Sequence, residues 1–92
     1  MNYRIYKYPI ELTDRQKVQM VYGARILKVE YQGDQLCLWA MVNLNNMPMT
    51  FDIEIIGTGR PIPDAPRKFI GTVLNGPFVW HVFQRVNALS ED

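Results

Sequence analysis

Apolar and polar residues alternate with a period of two along most of this chain, the pattern of strands that bury one face. It is clearest from Met49 to Ile56, where Phe51, Ile53 and Ile55 share one parity and Asp52 and Glu54 the other. The first set is expected inward and the two carboxylates on an exposed face. The same period runs through Lys17 to Tyr22, with Val18, Met20 and Tyr22 on one side and Lys17 and Gln19 on the other. In Arg25 to Tyr31 it sets Leu27, Val29 and Tyr31 against Lys28 and Glu30. Sustained helical spacing is found nowhere. Thr13-Asp14-Arg15-Gln16 could cap a single helical turn, but strand alternation follows it directly.

Two further runs are apolar on both parities. Leu36 to Val42 reads as a strand that is central or clasped on both faces, and Phe78 to Val86 follows the same rule. Tyr3 to Leu12 completes the strand set, with Tyr6, Tyr8, Ile10 and Leu12 on one parity. Pro9 cannot donate to a ladder, so this strand belongs at an edge or bends there. Turn signals separate the runs: Gln32-Gly33-Asp34-Gln35, Leu44 to Pro48, and Asn75-Gly76-Pro77 after the strand Lys68 to Leu74. GTGRPIPDAP, from Gly57 to Pro66, holds neither helix nor regular ladder. The predicted fold is all-β, a small antiparallel barrel or sandwich of about six or seven strands. Ninety-two residues make one domain, 1–92, with 84–92 as an extended tail.

Composition narrows the function classes. An apolar fraction of 48% supports a folded body, and a net charge of +1 selects no partner by itself. The ten Lys and Arg residues are spread from Arg4 to Arg85 and form no basic stripe, so nucleic acid is not the expected partner. The one cysteine, Cys37, is expected as a buried structural thiol in a reducing compartment. No apolar run approaches the roughly 20 residues of a membrane span. A cytoplasmic location, away from membranes, is the expectation.

Catalysis and metal binding find little to work with. His81 is the only histidine, and Ser90, in the terminal tail, the only serine. Metal sites want several converging ligands, and nucleophilic catalysis wants a base and an orienter, so no catalytic residue, metal or cofactor is expected. Asp52 and Glu54 could lie within about 7 Å of each other on one strand face. An exposed face would not split their pKa values as acid–base work requires. A ligand site is better placed at Gly57, Thr58, Gly59 and Arg60, with His81. There two glycines could turn amides inward as an anion nest and Arg60 could add a fork. Tyr6, Tyr8, Trp39 and Trp80 are the candidate interface residues, because Tyr and Trp combine apolar area with a polar tip.

KYPIEL, GARILKVEYQGDQLCLWAMV, GTGRPIP and FIGTV…GPFVWHVF together resemble a family of small bacteriophage- and prophage-encoded proteins built on a domain of unknown function. The likeness runs over nearly the whole chain and departs from the family pattern after Phe83. It implies a compact single domain, at work in the cytoplasm of an infected bacterial cell, and no catalytic residues. Small phage proteins of this kind often act by binding, which is an association with a genomic class. The first expectation is therefore a non-enzymatic accessory protein that antagonises a host defence or another host process through contact with a host protein. The alternative is a sponge for a nucleotide or other anionic ligand, held by the Gly-rich loop. A minor virion or nucleic-acid-binding structural protein is the third. Because one small core covers only one face of each doubly apolar strand, a homodimer is also expected.

Overall fold

The computed structural model describes residues 1–87. Its strands, in chain order, are β1 (Tyr3–Pro9), β2 (Arg15–Val21), β3 (Arg25–Gln32), β4 (Gln35–Asn43), β5 (Pro48–Gly57), β6 (Arg67–Asn75) and β7 (Phe78–Arg85). All pair antiparallel, in a three-stranded sheet of order β1-β4-β3 and a four-stranded sheet of order β2-β5-β7-β6. The two sheets do not close on each other. The fold is a sandwich, which settles the choice left open between sandwich and barrel.

The alternation explains the core. Leu36, Leu38, Ala40 and Val42 of β4 meet Phe51, Ile53 and Ile55 of β5, with Val82 of β7, in one buried cluster. Leu38, Ile53, Val42 and Val82 are closed off from water. β4 is central, as its two-sided apolar pattern requires, but only its inner parity has a second layer against it. On its outer parity Cys37 is buried and free, while Trp39 and Met41 are half-buried. Pro9 lies on β1, an edge strand, where its missing N–H costs no ladder bond.

Two bulges shift the faces from simple alternation. Between Ile26 and Lys28 the register of β3 slips against β4. Ile26 therefore packs on the core, whereas Leu27, expected inward, is 48% exposed. The slip between Phe69 and Gly71 in β6 likewise turns Gly71 and Val73 inward, beneath β3. Of the tail expected over 84–92, Gln84 and Arg85 belong to β7, paired with Ile53 and Asp52. Residues 88–92, Ser90 among them, lie outside the described residues.

Candidate functional site: a cleft at the end of β5

β2 begins at Arg15, opposite Glu54, so β5 runs on past it through Ile55, Ile56 and Gly57. The chain leading into β2 covers part of that edge, where the Ile55 amide donates to the Asp14 carbonyl at 3.1 Å. The segment after Gly57 then folds back as a second wall. Between the walls is a cleft of about 600 Å³, in the range of small-molecule sites. Leu12, Thr13 and Asp14 from the segment before β2, Arg60, Pro61 and Pro63 from the segment after β5, and Trp80 of β7 contribute to its lining.

The loop's local chemistry is a turn. The Arg60 amide donates to the Gly57 carbonyl at 3.1 Å, with Gly59 at φ 88° in the third position. Only glycine adopts that angle without strain, and it suits a type II turn. The Thr58 amide donates to Val79 O at 3.2 Å. Two of the amides expected to form an anion nest are thus committed within the protein. What the loop offers a ligand is the Arg60 side chain, which is exposed and has no partner among the described residues.

Gly57 has a separate role. A Cβ there would lie 3.1 Å from the Trp80 ring and 3.5 Å from the stem of Arg60. The missing side chain leaves room for the Trp80 ring and the Arg60 stem to lie close to the strand at this point. Trp80 also stacks on Phe78, with ring centroids 5.5 Å apart, and its Nε1 is buried with no hydrogen-bond partner among the described residues.

His81 is held on both sides, with Nε2 2.8 Å from Thr58 Oγ1 and Nδ1 3.0 Å from Thr72 Oγ1. It lies on the outward parity of β7, opposite to Trp80, and pins the turn to the sheet. Of the five expected ligand residues, Gly57 and Arg60 line the cleft, while Thr58 and His81 are joined to each other beside it.

The four expected interface residues do not share a surface. Tyr6 and Tyr8 are near each other on β1, with centroids 6.4 Å apart. Trp39 is on the outer parity of β4, and Trp80 is in the other sheet at the cleft.

The expected exposure of Glu54 is overturned. It has the outward parity, yet it is only 3% accessible. Arg67 Nε donates to Oε1 at 2.8 Å and Arg85 Nη1 to Oε2 at 3.0 Å. Arg67 Nη2 also donates to the carbonyl of Pro63 at 2.6 Å, which draws the loop over the carboxylate. Burial pushes the Glu54 carboxyl up, but the Arg67 hydrogen bond and the two guanidinium charges outweigh it and hold the pKa below its ordinary value. Asp52 is held low chiefly by the hydrogen bond from Arg15, whose Nη2 donates at 2.6 Å. These carboxylates are pinned as anions by arginines, so they are poorly suited to deliver a proton near neutral pH.

The wall formed by Leu12 to Asp14 is the part that sequence reasoning missed, since a polar segment before a strand signals a turn and nothing more. No three His, Cys, Asp or Glu side chains converge among the described residues. No helix there is long and apolar enough to cross a membrane.

No curated protein and no solved structure matches the chain. A family model matches residues 1–91, and on that match the chain belongs to the DUF7352 family, a domain of unknown function.

Proposed function

We propose that this protein works by binding another protein, without turnover of a substrate, and that it docks through the outward face of the β6–β7 hairpin. The observation that carries this reading is the exposed apolar surface there. Phe69 is 62% exposed and Leu74 73%, beside half-buried Val79 and Phe83 on the same face. Phe69 is paired with Phe83 and Leu74 with Val79, and these two apolar pairs flank the Thr72–His81 pair on the same face. Solitary exposed apolar residues are ordinary, whereas two such pairs on one face support a docking surface. In its finer form the reading is of a phage-encoded accessory factor that engages a host protein and blunts a defence or other host process, in the cytoplasm of the infected cell. That part rests on the sequence resemblance.

A second copy of the chain is the first occupant to test. Sedimentation at tens of micromolar is expected to show a species of twice the 10.7 kDa chain mass. Leu74→Asp should return it to monomer with an unchanged β-type circular dichroism spectrum, since so exposed a position normally shifts stability by less than about 0.5 kcal/mol. A monomer at every concentration removes the homodimer. Capture of a host protein that is equally strong with Leu74→Asp removes this face as the docking surface.

A further inference from the structure

We infer that the cleft beside β5 is a binding site for a small organic anion with an apolar, ring-containing body, of which a nucleoside monophosphate or an aromatic carboxylate is an example. The inference does not depend on the hairpin face.

Three features select that chemistry. The first is size, because about 600 Å³ admits a molecule of one or two fused rings with a substituent and is too large for a bare inorganic anion to fill. The second is an apolar lining. Leu12, Ile55 and Pro61 are hydrophobic, and Trp80 also contributes to the lining. Trp80 is covered on one face by Phe78 and lies against Gly57, so it serves as a wall and leaves no open stacking platform.

The third feature is charge availability. Three arginines border the cleft, but Arg15 is spent on Asp52 and Arg85 on Glu54. Of these three, only Arg60 has no side-chain partner among the described residues, and it offers a planar fork suited to a carboxylate or phosphate. One free fork calls for one anionic group. Asp14, across the cleft, also has no side-chain partner among the described residues, so it can accept from a ligand hydroxyl or amine while disfavouring a second anionic group. A polyphosphate fits this balance poorly.

The probe is 8-anilinonaphthalene-1-sulfonate, a ring system with one anionic group whose fluorescence rises in apolar surroundings. Titration of the full chain should show a saturable rise with one site per chain, competed by adenosine monophosphate or by naphthoate but not by inorganic phosphate. The competitor that succeeds tells whether the natural anion is a phosphate or a carboxylate. Arg60→Ala should weaken the probe about tenfold or more, the scale of one charge-assisted fork. Leu12→Asp, which replaces part of the apolar wall with a like charge, should weaken it further.

Leu74→Asp is the control, since the dye also settles on exposed apolar faces. Binding lost with Leu74→Asp and kept with Arg60→Ala would overturn the cleft while leaving the hairpin face standing. No saturable rise in the wild type, or displacement by phosphate alone, would overturn it as well. Loss with Arg60→Ala and retention with Leu74→Asp supports the cleft whatever becomes of the docking surface.

Discussion

Glu54→Ala is expected to destabilise the fold by about 3 kcal/mol, the low end of what removing one partner of a buried ion pair costs. Arg67 and Arg85 are directly opposite each other in the β6–β7 register, and like charges so placed repel. Glu54 bridges them from β5 and neutralises one of the two charges. Without it, two guanidinium groups only 16% and 21% accessible face each other with no anion between them. Both can turn partly toward water, which is why the low end of the range applies. In urea at fixed protein concentration the midpoint should fall by about 2 M for a chain of this size. In a domain under 100 residues the melting temperature should drop by more than about 10 °C. Replacing Glu54, Arg67 and Arg85 together by apolar residues of similar volume should recover most of the loss, because the desolvation penalty goes with the charges. A cost below about 1 kcal/mol for Glu54→Ala would mean that the cluster is solvated and the loop does not seal it.

Acid should act through the same carboxylate. Glu54 and Asp52 have pKa values lower in the folded chain than in the unfolded one. The unfolded chain therefore binds protons first as the pH falls, and stability declines from the ordinary carboxylate range of about 4 downward through the folded values. Above that range both contribute fully and the dependence is flat. Glu54→Gln should be less stable at neutral pH and show a shallower acid slope. A slope equal to that of the wild type would place the acid sensitivity elsewhere.

The second large effect is expected at Gly71. An ideal Cβ there would stand 2.9 Å from Val29 Cγ1, closer than real Cβ contacts come. The neighbour is a β-branched side chain, buried and stiff at χ1, so it cannot swing aside. Gly71→Val should therefore cost about 2–3 kcal/mol by pushing β3 away from β6, and Gly71→Ala about half as much. Because the cause is a clash between two named atoms, Val29→Ala should restore part of the loss in the Gly71→Ala background while being destabilising alone. Additive losses in that cycle would show that the sheets do not meet there.

The period-two pattern carried most of the fold. It placed Phe51, Ile53 and Ile55 inward, because burying one face of a pleated strand demands alternation. It also marked β4 as central, which holds for its place between β1 and β3 although a second layer covers only its inner face. Pro9 announced an edge, since a residue without an N–H is tolerated where no neighbour waits to be bonded. The pattern could not show the bulges at Leu27 and Ile70. One inserted residue costs little locally and is decided by how the partner strand and the opposite sheet fit. For the same reason Leu27 is outside although its parity pointed in.

The site divides in the same way. Gly57 to Arg60 is legible as a special loop, because two glycines and a proline leave the chain few other conformations. Which amides that loop spends on itself is a matter of three-dimensional closure. So is the burial of Glu54, beside which a segment distant along the chain, at Pro63, is held by Arg67. Parity tells which face of a sheet a side chain takes, a property of the pleat alone. Whether anything then covers that face depends on contacts distant in sequence, and those exist only in the folded molecule.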